Sequence, residues 1–290
     1  MSGRIVELAA IGALVAGVVL SGNAAAETHK EYRFNVGPKA GVSVNNPYGS
    51  VSVKPSTGNV VVINAVLSSD KVEVDNALVA NRVEIQSHLL SGADEKSGRV
   101  DYEILVPADA SITLQSNSGS LHVEKLHGDV TLEGAGATVD VRDISNAHVH
   151  VRTLNGPVTL TNIQDGHVEI DSLSGKITLT SVNGPQVQVV STSGEIIYIG
   201  DFGDRGVYRF TSYSGNIEAS VPETISADVD ARSIRGEVHD DIPLQPKEHS
   251  SIVVRGSNAF LGTIGRAAVS SRVAMHSFSG KIHLRKRIAK

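Results

Sequence analysis

A phrase of the SNSG type returns about every nineteen residues through the middle of this chain. The copies are SNSG ending at Gly119, TLNG at Gly156, SLSG at Gly175, STSG at Gly194 and SYSG at Gly215, each followed by a short alternating apolar run. A degenerate copy at Gly134 to Ala137 fills the long gap between Gly119 and Gly156, and SIRG ending at Gly236 and SFSG ending at Gly280 are further copies. A second set of turn residues falls midway, at Gly128, Asn146, Gly166, Gly184 and Gly206, so each repeat holds two strands and two turns. A unit this small cannot bury its apolar face without its neighbours, so the repeat demands a stack. The expected fold is all-β: a parallel β-solenoid (β-helix) with about 19 to 21 residues and two strands per coil, preceded by an irregular N-terminal β cap.

Stacked coils place each side chain about 4.8 Å from its equivalent one repeat away, so equivalent positions should match in chemistry. They do. The second strand gives one inward column of Leu121, Val139, Val158, Ile177, Ile196, Ile217 and Val238, and another of Val123, Val141, Leu160, Leu179, Tyr198 and Ala219. The first strand gives Val130, Val149, Val168 and Val187, then Leu132, Val151, Ile170 and Val189. At the corner the expected role of glycine is a positive φ, with Ser, Thr or Asn nearby bonding to the turned backbone, and Ser174 and Ser193 could bond between levels. An antiparallel meander is the competing arrangement, since turns every nine or ten residues suit hairpins too. The side-chain match at one full repeat favours the solenoid; its hand is left open.

Residues 1–26 carry Arg4 in a short polar start, an apolar stretch from Leu8 to Leu20, and Ala24 to Ala26 as a small-residue cleavage site. This pattern is that of a secretory signal peptide, with Glu7 unusual beside it, and an uncleaved anchor as the alternative. The stretch is short for a span of about 20 residues, and no later apolar run approaches that length, so the mature chain, beginning near Glu27, is expected to lack a transmembrane segment. The absence of cysteine excludes disulfides, a lipid-modified cysteine and thiolate metal sites. A formal net charge of −5 gives no electrostatic support for nucleic acid as a partner.

The expected division is residues 27–107 as N-terminal cap and first coils and 108–290 as the solenoid domain. Strand-like runs occur at Gly41 to Val44, Ser50 to Val53, Val60 to Val66 and Arg99 to Val106, while Val74 to Arg82 could form one short helix, with Val74, Val79 and Asn81 against it. Asp240 to Gly256, polar and holding Pro243 and Pro246, reads as a loop or excursion, with order returning at Ser271 to Leu284.

The signal peptide, the early NNPYGSVSV segment, the insert near Val74 to Arg82, the VDYEILVP strand and the serial SGxI/NGxV turns together resemble a bacterial putative-adhesin domain family, related to head domains called GIN. The resemblance implies a β-solenoid and an envelope location. It brings no motif residues with a known activity.

Several surface columns could carry chemistry. Asp129, His148, His167 and Gln186 stack outward beside His150 and Glu169, a metal-like composition, but neighbours at i and i+2 lie about 7 Å apart and read as a polar ladder, so no metal or cofactor is expected. Glu133, Arg152 and Asp171 alternate in sign as a structural column. Five aromatics between Tyr198 and Tyr213 could suit sugar stacking, yet Tyr198, Tyr208 and Phe210 fall in inward columns and fill a coil widened near Asp201 to Gly206. The terminal Arg285 to Lys290 run reads as a solvated tail. The candidate contact face is the outer patch of Thr159, Thr161, Thr178, Thr180, Ile197 and Ile199, two side chains wide and flat; only two Thr-x-Thr ranks occur, too few for an ice-binding surface.

Enzymes on β-helices act on polysaccharides through acids and bases that converge on one cleft, and this remains the alternative function. The adjacent Asp240 and Asp241 come without a partnering motif. The expectation is a non-enzymatic, exported envelope protein, periplasmic, surface or secreted, acting as an adhesin or scaffold for an envelope protein or glycan. Self-association through open terminal coils is a further option.

Overall fold

Each Ser-x-x-Gly phrase forms a sharp corner between two strands that belong to different sheets. The computed structural model describes residues 27–243, 245, 254–256, 258–265 and 271–287. The signal-peptide reading and residues 288–290 of the basic tail lie outside them. Among the described residues every regular element is a strand, arranged in one sheet of 12 and one of 13 strands. The strand before each corner belongs to the thirteen-stranded sheet and the strand after it to the twelve-stranded sheet, so one coil contributes a rung to both.

The expected columns form as read. Val158, Ile177 and Ile196 are register partners in successive parallel strands, as are Leu160, Leu179 and Tyr198, and all six are buried. The opposite wall stacks Val130, Val149, Val168 and Val187 in the same way. The parallel pairing of equivalent residues disposes of the meander. A third inward column, not expected, holds Leu126, Ile144, Ile163 and Val182. It arises because Lys125, Asp143, Asn162 and Ser181 each take φ between 53° and 58°, which breaks the period-two alternation and turns the next side chain inward.

The expected positive φ occurs at Gly119, φ 110°, but the other corner glycines have a different cause. Gly156, Gly175, Gly194, Gly215, Gly236 and Gly280 do not take the left-handed φ; that conformation falls on residues such as Asn146, Asp165 and Arg205 at the opposite turn. Glycine is required at the corner because a Cβ on Gly175 would overlap the Gly156 carbonyl oxygen, and one on Gly194 the carbonyl of Gly175. The backbone of each coil thus rests directly on the coil below. The first residue of the phrase completes the corner: the buried hydroxyls of Thr153, Ser172, Ser191 and Ser212 accept the N–H of the glycine three residues on, at 2.8–3.1 Å. The expected bonds between levels also occur, with Ser174 Oγ 2.7 Å from Asn155 Oδ1 and Ser193 Oγ donating to the Leu173 carbonyl.

At both ends the stacking order departs from chain order. The coil of Ser271–Ser277 and Ile282–Lys286 is inserted between the coil of Val207–Ser212 and Ile217–Val221 and that of Ala227–Ser233 and Val238–Asp240. Val238 therefore does not follow Ile217 in the column, because Ile282 lies between them. Gly280 takes its place between Gly215 and Gly236 in the corner ladder. At the other end, the coil of Gly41–Asn45 and Val51–Pro55 lies between that of Arg82–Leu89 and Val100–Val106 and that of Ser111–Ser116 and Ser120–Glu124. Asn46 is the buried corner residue of the NNPYG phrase; its amide donates to the Val100 carbonyl and its Oδ1 accepts from Ser87.

The expected helix at Val74 to Arg82 is absent. Val72–Val79 and Arg82–Leu89 form an antiparallel hairpin through a turn at Ala80, φ 55°, because alternate residues Val72, Val74, Val83 and Ile85 cover the open end of the core. Thr28–Asn35 and Val60–Leu67 cap the other sheet at the same end. The Asp240 to Gly256 segment is only partly a loop: Asp240 closes a strand, Ile242 is buried, and Val254–Gly256 pairs with Ala259–Ile264, which caps Ala227–Ser233. Residues 244 and 246–253 lie outside the described set. Arg285 and Lys286 are likewise not frayed tail but the end of a strand, paired with Glu218 and Glu223.

One melting series tests this architecture. Gly175→Ala should destabilise by at least the upper end of the about 1–3 kcal/mol that overpacking costs, and Ile177→Asp should unfold the middle coils. Thr178→Asp, on the outer face, should move the midpoint little. Equal losses at Ile177 and Thr178 would contradict the inward and outward assignment.

Candidate interaction surface

The sequence-expected patch forms as a flat array. Thr159, Thr178 and Ile197 are successive register partners, as are Thr161, Thr180 and Ile199, so the six side chains make three ranks of two on the outer face of the twelve-stranded sheet. All six are half-buried. Charged ranks bound the array on both sides. Below it Asp140 bonds both Arg142 and His122, with Nδ1 of His122 3.0 Å from the carboxylate; above it Glu218 pairs with Arg285 at 3.1 Å. A partner lying on this face would meet methyls and hydroxyls first and ion pairs at the rim.

A second surface was not anticipated. The second residue of each corner phrase points outward, giving a ridge that runs Leu154, Leu173, Thr192, Tyr213, Phe278 and Ile234 in stacking order. Leu154, Leu173, Tyr213 and Ile234 are 52%, 48%, 58% and 68% exposed. Their levels are locked by the backbone: the N–H of Leu173 donates to the Thr153 carbonyl, that of Tyr213 to Ser191, that of Phe278 to Ser212 and that of Ile234 to Ser277. The Tyr213 and Phe278 rings are stacked, nearly parallel, 4.8 Å apart, and the Arg235 guanidinium covers the Phe278 ring. Sequence reasoning passed over this ridge because the phrases were read for their Ser and Gly, whereas the signal stood in their second letters.

The histidine column stacks as a polar ladder. The His148 and His167 rings meet edge to face at 4.8 Å, Asp129 accepts the His148 N–H, and His150 Nδ1 is 3.3 Å from Glu169. Among the described residues no three His, Asp or Glu side chains form a group that could hold a metal ion. Glu133, Arg152 and Asp171 are register partners, alternating in sign as read. Asp241 accepts from His283 at 3.1 Å, which ties it to the neighbouring coil. A cavity of about 640 Å³ is an open groove at the N-terminal end. One of its carboxylates, Asp101, is engaged by Arg99 and the Ser50 N–H.

The aromatic group is core. Tyr198, Phe202, Tyr208 and Phe210 are all buried, with Tyr198 stacked on Phe202 at 5.0 Å, and Tyr213 alone points out. Burial pushes the Tyr208 phenol up to about 12, and the Tyr198 and Tyr102 phenols higher still. Folding favours the neutral phenols, so the stability they lend is complete below the ordinary value near 10 and fades as pH rises through about 12. Melting temperature should therefore fall across that window, and Tyr208→Phe should flatten the fall. Thermal melts between about pH 9 and about pH 12 read it; an identical slope in the variant would remove the assignment.

Comparison with known proteins bears on the fold. The Toastrack DUF4097 family matches residues 42–284. None of the curated proteins matches the chain. Among solved structures, one described as a putative cell adhesion protein from Clostridium sporogenes is 13% identical, over 90% of this chain and 100% of that one, with a TM-score of 0.30. A second, described as a putative adhesin from Bacteroides fragilis, is 12% identical over 90% and 98%, with a TM-score of 0.44. No helix among the described residues is long and apolar enough to cross a membrane.

Proposed function

Because the chain belongs to the Toastrack DUF4097 family, whose match runs through nearly the whole stack, we propose that it is an exported, non-enzymatic interaction scaffold of the cell envelope, adhesin-like, that presents one flat face to a macromolecular partner. The observation that carries this reading is the array of Thr159, Thr161, Thr178, Thr180, Ile197 and Ile199, uncharged between two charged ranks. β-branched side chains held in register lose little further rotamer freedom on contact, and their methyls are desolvated at low cost. The partner class this suits is an envelope protein or glycan with its own flat, neutral surface.

Thr178→Lys combined with Ile197→Lys should leave the melting curve unchanged and abolish retention on isolated envelope material. A properly folded double variant that is retained as well as the parent would reject the face.

Export is the second part of the proposal, resting on the Arg4, Leu8 to Leu20 and Ala24 to Ala26 pattern. Mass spectrometry of the protein recovered outside the cytoplasm should give an N-terminus near Glu27. An intact residue 1–26 segment in a membrane fraction would instead mean an anchor.

A further inference from the structure

We propose that two copies of the chain pair through the corner ridge, antiparallel, about a two-fold axis at the level of Tyr213. The proposal is independent of the partner face above, since it uses none of the six residues of that array. Five consecutive coils carry Leu173, Thr192, Tyr213, Phe278 and Ile234 on the ridge. A two-fold axis across the stack at the middle coil sets Leu173 against the partner's Ile234, Thr192 against the partner's Phe278, and Tyr213 against the partner's Tyr213. Such an interface is isologous and closed, and it covers Leu173, Tyr213 and Ile234, which are about half exposed or more in the single chain.

The flanking charges select this register. On the twelve-stranded-sheet side of the ridge the five coils carry, in order, Lys176, Glu195, Asn216, Lys281 and Glu237. The proposed axis brings Lys176 to the partner's Glu237 and Glu195 to the partner's Lys281, with the neutral Asn216 on the axis. Within one copy Lys176 already pairs with Glu195 at 3.1 Å and Lys281 with Glu237 at 3.3 Å. The contact thus closes each pair of ion pairs into a square of alternating sign. On the other side of the ridge the coils carry Asp171, Val190, Thr211, His276 and Arg232, and the same axis sets Asp171 against the partner's Arg232.

Moving the axis half a coil toward the N-terminal end places Lys176 on the partner's Lys281; moving it half a coil the other way places Glu195 on the partner's Glu237. A parallel pairing would set Lys176 on the partner's Asp171 and Glu237 on the partner's Arg232 but would leave Glu195 and Lys281 opposite the partner's Val190 and the partner's His276, so it matches fewer of the flanking charges than the antiparallel one. Opposite charges across an interface fix register in this way, and like charges exclude the two shifted registers. A ridge of five coils is only about 20 Å long, so the contact is smaller than the about 800 Å² per partner of a standard interface, and the dimer is a weak one.

Sedimentation equilibrium on the purified chain at rising concentration tests the pairing. The parent chain should dimerise; Lys176→Glu and Glu237→Lys should each weaken the dimer about tenfold, and the two together should restore it to within about threefold. Residues 176 and 237 stand four coils apart in one copy, about 19 Å, so restoration cannot come from a contact within a chain. Tyr213→Thr, which places on this coil the residue that Thr192 already supplies one coil away, should abolish dimerisation with an unchanged melting curve. A parent that stays monomeric, a dimer indifferent to Tyr213→Thr, or a charge exchange that fails to restore association would each overturn the proposal.

Discussion

The direct contact between backbone and backbone at the Ser-x-x-Gly corner is the constraint on which the rest of the structure depends. With no Cβ at Gly175 or Gly194, each coil sits against the carbonyl of the one below, and the rise per coil is the spacing of strands in a sheet. That spacing keeps both walls hydrogen-bonded without interruption and lets equivalent side chains meet as columns. The glycine N–H turns inward at the corner, where water does not reach, and the hydroxyl of Thr153, Ser172, Ser191 or Ser212 takes it. Serine and threonine recur there because an unbonded buried N–H would cost about 1–3 kcal/mol at each level.

A stack of parallel coils leaves open sheet edges and an uncovered core at each end. The chain answers both by leaving the stack and coming back. At the N-terminal end antiparallel strands at Val60–Leu67 and Val72–Val79 lie over the last coil; at the other end Ala259–Ile264 does so for one sheet. The return path places a coil from a distant part of the sequence inside the stack, as Ser271–Lys286 is placed between Val207–Val221 and Ala227–Asp240. The corner chemistry is what makes this insertion fit, since Ser277 bonds the Gly280 N–H just as Ser212 bonds that of Gly215.

Every coil repeats the same outward positions, so a surface feature of one coil becomes a line of features along the stack. The Thr and Ile ranks, the alternating Glu133, Arg152 and Asp171 column and the ridge through Tyr213 all arise in this way. Function in such a molecule belongs to lines and faces rather than to a cleft, and a change of one residue alters one rung of a longer surface. The proposed partner face and the proposed self-contact occupy different lines of the same stack.

The sequence by itself determined the coil: the columns through Val158, Ile177 and Ile196, the inward Tyr198, Tyr208 and Phe210, and the outward Thr and Ile array could all be read because period-two alternation and a fixed repeat are local properties of the chain. Only the tertiary structure decided how the coils are ordered at the ends, since Gly236 and Gly280 carry equivalent corners and either could follow Gly215; which one does depends on how the intervening hairpin closes the sheet. The same holds for Val74 to Arg82, where one short segment fits a helix or a strand and the exposed end of the core selects the strand. The corner glycines were legible as corners but not in their cause, because a clash with the carbonyl of another coil exists only once the coils are stacked. The apolar ridge was legible in part, since Leu154, Leu173 and Tyr213 hold the second letters of their phrases, but the placing of Phe278 between Tyr213 and Ile234 is created by the stacking order alone.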